Sequence, residues 1–219
     1  MDKSFFLENH LLVSSILIII ILIIFFSVKK TTTLYKILFF SLSINFISYY
    51  SILISNKFFD YTIHLPIHLC YITELGILIS LILKNQRFYP ILALNSLGGG
   101  ISGLTNSNLV LESYWIEFSH LYLSHLNLIF FFLILFKEKF YINKKMFLKS
   151  IVLNGTIFFL TLFFNKIFGS NYWFTQNRPQ GKNITLLFSD WPYYLIGLII
   201  IGLFSYCITF ILLRKNKHT

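Results

Sequence analysis

The chain has 219 residues, of which 56% are hydrophobic and 12% charged, with a mean hydropathy of +0.74. A soluble domain carries about twice that charged fraction, which excludes a water-soluble enzyme. The formal charge of +10 would raise nucleic acid in a soluble protein. Here it is explained by lysines gathered in loops on one side of a membrane, and no nucleic-acid partner is expected.

Runs of about 20 apolar residues separated by short charged clusters select helices over a barrel, whose strands would alternate. The expected fold is an all-α polytopic bundle of about seven spans, one integral membrane domain over 1–219. The first span, 11–28, is aliphatic throughout and is followed by Lys29, Lys30 and Lys36. It is too long for a signal-peptide core and lacks a small-x-small cleavage site, so it reads as a retained anchor. The second, 35–55, carries Asn45 and Ser48. The third, 64–83, has Pro66 in its expected first turn, where a missing N–H costs nothing. The fourth, 89–104, is short and contains Gly98-Gly99-Gly100 and Gly103, which permit either a tight crossing or a break. The fifth, 114–136, precedes a lysine-rich stretch from Lys137 to Lys149. The sixth, 146–168, holds Asn154-Gly155 and leads into a loop of roughly twenty residues, long enough to suggest function. The seventh, 192–213, ends at Arg214, Lys215 and Lys217.

With the N-terminus outside, 13 of the 18 basic residues fall on one side of the membrane. The positive-inside rule makes that side cytoplasmic, with the C-terminus there too. The expected location is a multi-pass protein of the cell membrane.

Ionisable groups inside spans are expensive and mark candidate sites. The third span brings His64, His68, Cys70, Thr73 and Glu74; the fifth brings Glu117, His120, Ser124, His125 and Asn127. On a helix Cys70, Thr73 and Glu74 share a face, and Glu117, His120, Ser124 and Asn127 form a stripe with His125 about 100° round from Ser124. Cys70 lies roughly 9 Å and His125 roughly 16 Å from the outer helix ends, both in the outer half of the bilayer. A thiol needs a base to become a nucleophile, and a histidine can take and return its proton. Glu74 would orient that histidine or serve as a structural hydrogen-bonder. Geometry leaves the choice between His120 and His125 open. Two blander readings stand beside the dyad: a buried cysteine is usually a small hydrophobe, as expected for Cys207, and Glu117 and His120 would form a polar seam. His64 and His68 at i, i+4 are a weak metal motif, and no metal or other cofactor is expected. The cysteines fall at opposite ends of their helices, so no disulfide is expected.

Several pieces resemble the YwaF-type bacterial integral membrane proteins, related to eukaryotic transmembrane protein 164. They are Leu65-Pro66-Ile67-His68-Leu69-Cys70, then Gly98-Gly99-Gly100 with Leu104-Thr105, Ser124-His125, Asn154, Gly169-Ser170-Asn171-Tyr172 and Trp191-Pro192-Tyr193-Tyr194. Their order and spacing carry the resemblance over most of the chain after the second span. It departs at Leu126 and Asn127, where the pattern has a small residue after the histidine, and at Asn106-Ser107-Asn108, where it has a Thr-Pro type turn.

The resemblance implies a lipid acyltransferase that carries the acyl group on Cys70 with His125 as base. The expected donor is a membrane phospholipid and the acceptor a lysophospholipid. His68, Glu74, His120, Asn154 and Arg178 are expected around the substrate, Asn154 as an oxyanion donor and Arg178 with Lys182 as phosphate ligands. The rival class is a small-molecule or lipid transporter without covalent catalysis, for which a broken fourth helix would line a pathway. No inverted repeat accompanies it. The seventh span has no lysine before Arg214, which excludes a retinal Schiff base there.

Overall fold

A computed structural model describes residues 3–181 and 183–214. Lys182, Lys215 and Lys217, which enter the charge argument, lie outside the described residues. Those described form eight α-helices: α1 (Lys3–Glu8), α2 (His10–Ser27), α3 (Thr31–Ser55), α4 (Leu69–Ile82), α5 (Tyr89–Thr105), α6 (Trp115–Lys137), α7 (Lys144–Phe168) and α8 (Tyr193–Leu213). Two short 3-10 turns, Tyr172–Phe174 and Ile184–Leu187, punctuate the α7–α8 connection.

Five helices, α2, α3, α6, α7 and α8, are long and apolar enough to cross a bilayer; α4 is apolar but has only 14 residues. The protein is a multi-pass helical membrane protein. Its outer helices confirm the solvent: Phe26 on α2, Val152, Phe159 and Phe163 on α7 and Phe204 on α8 are exposed. Water would not tolerate apolar faces of that extent, whereas lipid tails match them.

The centre is α6, which packs against α2, α3, α4 and α5, while α5 also touches α7 and α8. A helix apolar nearly all round belongs in a core, and Leu128, Phe130, Phe131, Ile134 and Leu135 of α6 are fully buried. Leu34, Leu38 and Leu42 on α3 repeat every four residues and supply the facing ridge. On α7 the pattern inverts: Ser150, Asn154, Thr161 and Asn165 face inward and the apolar residues face out.

Contacts between connections define two ends. At the basic end Lys137 Nζ donates to the carbonyls of Phe25 (3.0 Å) and Val28 (2.7 Å), and Ile142 N–H donates to Leu213 O at 2.8 Å. At the other, loop-rich end, Tyr172 Oη accepts from Leu65 N–H and donates to Tyr61 O, and Ile184 N–H donates to Asn106 Oδ1. Burial pushes the Tyr172 phenol up to about 12, so it keeps the proton that the second bond requires. Lys3 on α1 reaches Leu111 O at 3.1 Å. The six-residue α1, too short for a periodic signal, was not expected from the sequence.

Two expectations change. Residues 61–68 are not helical, and α4 begins only at Leu69, with His68 as its N-cap residue. Pro66 disfavours the helical region at Leu65 rather than opening a first turn. Upstream, Asp60 caps a local turn through Thr62, bonds that hold its carboxyl below the usual carboxylate range. The glycine-rich segment, in turn, is unbroken: α5 is helical from Tyr89 to Thr105, and its glycines are points of close approach. A Cβ on Gly98 would strike Ser205, and one on Gly100 would stand 2.5 Å from Ile129.

Candidate functional site

A cavity of about 140 Å³ opens at the loop-rich end. Its walls come from the start of α4 (His68, Cys70, Tyr71), the end of α5 (Ser102, Gly103) and α6 (Leu121, His125). The roof is Asn106 to Asn108 together with Phe174, Pro179 and Asn183 to Thr185 of the α7–α8 connection. The two residues proposed as nucleophile and base therefore line the same space.

They reach it past two glycines. A Cβ on Gly99 would lie 3.2 Å from Cys70 Sγ, and a Cβ on Gly103 would overlap Cδ2 and Nε2 of His125. His125 occupies room that only a glycine leaves, and Cys70 stands close to the limit of what an alanine would allow. Gly99 and Gly103 are one turn apart, so thiol and imidazole are offset by roughly 6 Å along α5. They do not hydrogen-bond to each other. The thiol points to Gly99 O at 3.9 Å, and His125 Nδ1 donates to Leu121 O at 2.6 Å. A carbonyl only accepts, so that bond places the ring proton on Nδ1 and leaves the lone pair on Nε2, toward Gly103.

The third wall residue is His68. Its Nδ1 accepts the backbone N–H of Trp173 at 3.2 Å, and the Trp173 indole donates to Ile67 O at 2.7 Å. The ring is wedged among Tyr71, Tyr172 and Phe174, with centroids 5.1 to 5.9 Å away.

The other expected site residues lie elsewhere. Glu74 is buried one turn further along α4 from Cys70, where its Oε1 accepts from Asn45 (2.9 Å) and Asn127 (3.0 Å) and its Oε2 has no hydrogen-bond partner among the described residues. His120 belongs to this second cluster. Its Nδ1 meets Asn45 Oδ1 at 3.0 Å, and its ring stacks on Tyr49 with centroids 3.8 Å apart. Asn45 also donates to Ser124 Oγ, and Ser41 to Asn127 Oδ1. This is a closed network between α3, α4 and α6. Glu74 does not orient His125: its Oε1 is held by Asn45 and Asn127, while His125 Nδ1 is held by Leu121 O.

Asn154 is not in the cavity wall; it donates to Asn95 Oδ1 (3.0 Å) and Tyr206 Oη (2.7 Å) in a third network that ties α7 to α5 and α8. Arg178 lies in the connection behind the roof. Its guanidinium is 3.1 Å from Asp190, donates to Phe188 O and stands over Tyr194. Protein groups thus engage the end of its guanidinium, while its buried Nε has no partner among the described residues. His64 and His68 diverge, since their segment is not helical: His64 Nε2 lies 3.5 Å from Glu117, whose other oxygen caps α6 at Tyr114 N. Cys207 is exposed on α8.

Of the roof asparagines, Asn183 was not singled out from the sequence, and Asn106 and Asn108 were noted only as a departure from the family pattern. They are loop residues without periodicity, and only the docking of the α7–α8 connection on the α5–α6 loop assembles them. No curated relative and no solved structure matches the chain. The model of one family, the TMEM164 family, matches residues 5–210. That span takes in every helix that frames the cavity, and the chain belongs to the TMEM164 family.

Proposed function

We propose that this protein is a membrane lipid transacylase with seven spans, its N-terminus outside and its C-terminus in the cytoplasm, working through an acyl thioester on Cys70. The observation that carries this reading is the shared cavity. It is bounded by the one half-buried thiol among the described residues and by an imidazole whose hydrogen bond to Leu121 leaves Nε2 as an acceptor facing the same space.

In the first half-reaction Cys70 Sγ attacks the ester carbonyl of a phospholipid. A new S–C bond forms, the thiol proton passes to His125 Nε2, and the carbonyl π pair moves onto oxygen. Collapse breaks the ester C–O bond, and the departing lysophospholipid oxygen takes the proton from His125. The second half-reaction reverses these steps with another lysophospholipid hydroxyl as nucleophile. No redox partner is needed. Gly99 and Gly103 are one turn, roughly 6 Å, apart along α5, so the thiol turns from Gly99 O toward His125 Nε2 to hand over its proton as it attacks.

The seven-span topology counts α4 and α5 with the five longer helices. It places the loop-rich end outside and Lys29, Lys30, Lys36, Lys84, Arg87 and the lysines from Lys137 to Lys149 in the cytoplasm. Acyl-CoA is cytoplasmic, so an outward cavity favours a lipid donor. The transporter alternative loses its main support, since α5 is continuous where a break was sought.

The test is covalent. Protein in liposomes containing a phospholipid with an alkyne-tagged acyl chain should acquire the tag as a hydroxylamine-sensitive thioester. Cys70→Ala should abolish it, Cys207→Ala should leave it, and His125→Ala should slow it by about 10²–10⁴-fold. Undiminished labelling of Cys70→Ala removes the proposal.

A further inference from the structure

Two imidazoles share the cavity, and their hydrogen bonds give them opposite polarity at Nε2. His125 donates through Nδ1 to Leu121 O, so its Nε2 carries a lone pair. His68 accepts through Nδ1 from Trp173 N–H, so its ring proton sits on Nε2. His68 cannot act as a second base through Nδ1, because that lone pair is already engaged.

The surroundings hold this arrangement firmly. Trp173 and Phe174 have φ of 59° and 54°, a left-handed conformation that bulky residues seldom adopt. This turn lets Trp173 give its backbone N–H to His68 and its indole N–H to Ile67. Asn165 braces the turn from α7, donating to Tyr172 O at 2.7 Å and accepting from Tyr172 N–H at 3.0 Å.

A second donor lies two residues on. The first backbone bond at the start of α4 is Ile72 N–H to His68 O. The N–H groups of Leu69, Cys70 and Tyr71 meet no acceptor among the described residues. They project from the helix end that borders the cavity, the positive end of its dipole.

Acyl transfer needs an acceptor for the thiol proton and donors for the oxygen that becomes negative. We propose that His68 Nε2–H, together with the backbone N–H of Cys70, receives the acyl carbonyl oxygen while His125 takes the thiol proton. This rests on the transacylase reading and assigns His68 a catalytic role of opposite sign to His125. As Sγ bonds to the carbonyl carbon, the π pair localises on an oxygen held by these two N–H groups, and it returns when the lysolipid oxygen leaves.

The experiment separates reactions that build an oxyanion from one that does not. Purified protein in liposomes is acylated with an activated fatty ester and, separately, alkylated at Cys70 with a lipid-tailed chloroacetamide, a direct displacement at saturated carbon. In His68→Ala acylation should fall about 10²-fold, with alkylation within about threefold of the unaltered protein. His68→Gln, which keeps an N–H donor, should recover much of the acylation. His125→Ala should lose both reactions. Equal losses of acylation and alkylation in both His68 variants would mean that His68 only shapes the site, and unchanged acylation in His68→Ala would show that it holds no oxygen; either overturns the assignment. If the unaltered protein takes no acyl group on Cys70, the transacylase reading fails first and this assignment with it.

Discussion

Gly103→Ala is the sharpest perturbation of the site, because the atoms nearest the added methyl all belong to the proposed base. Its Cβ would overlap Cδ2 and Nε2 of His125. Restoring contact distance requires the ring to move by on the order of 1 Å, and a displacement of that size costs about 10²-fold in a positioned reaction. The same move pulls Nδ1 from Leu121 O, so the ring loses the bond that fixes its proton. About 10²-fold is about 2.7 kcal/mol of barrier. Gly99→Ala, one turn earlier, is the internal comparison. Its Cβ would stand 3.2 Å from Cys70 Sγ and 3.5 Å from Leu128, so the neighbours give by a few tenths of an ångström. Acylation should then change by about threefold or less, and the helix should gain roughly 0.5–1 kcal/mol in propensity. The assay is the rate of thioester formation on Cys70 in liposomes, with thermal unfolding monitored in parallel. Gly103→Ala acylating at the unaltered rate, or Gly99→Ala proving the slower of the two, would refute the placement of His125 as base.

Other substitutions separate site from scaffold. His120→Ala should lower stability by about 1–3 kcal/mol through the buried groups it leaves unpaired, while the folded fraction still acylates; thermal melts and labelling of the same sample check this. Glu74→Gln keeps an Oε1 acceptor for Asn45 and Asn127 and should melt within about 0.5 kcal/mol of the original, whereas Glu74→Ala should cost about 1–3 kcal/mol. Asn154→Ala, cut from Asn95 and Tyr206, should likewise lower the melting temperature and leave the ratio of acylation to alkylation at Cys70 unchanged. A membrane-impermeant thiol reagent added outside should modify Cys70 faster than Cys207, as mass spectrometry of tryptic peptides would show; the reverse order would invert the topology.

The long helices were legible because nothing interrupts them. Apolar runs bounded by short polar or basic stretches put the limits of α2, α5, α6 and α8 within a residue or two of those observed. The start of α4 was not, because Pro66 is compatible both with a first turn and with an extended segment. Tertiary bonds from Tyr172 and Trp173, over a hundred residues later, go with the second. The site shows the same division. Spacing alone put Cys70 with Glu74 and His120 with Ser124, since helical periodicity tells which residues share a face. It does not tell which neighbour that face meets. The helix α6 is buried almost all round, so no apolar stripe marked one of its sides as inner. His125 was singled out by likeness to a family, and the coordinates set it in one cavity with Cys70 through two glycines that the sequence offered only as a possible crossing or break.

The brevity of α4 would set the height at which the proposed acyl transfer takes place. Its 14 residues span about 21 Å at 1.5 Å each, against a hydrocarbon layer of about 30 Å. If its lower end is level with its neighbours, its upper end stops roughly 9 Å beneath the outer boundary. A phospholipid ester lies near that boundary, so a bound lipid would sink by up to roughly 9 Å without leaving its leaflet. Thinner bilayers shorten that descent and thicker ones lengthen it. Turnover should therefore track acyl-chain length of the host membrane even when the reacting lipid is kept the same.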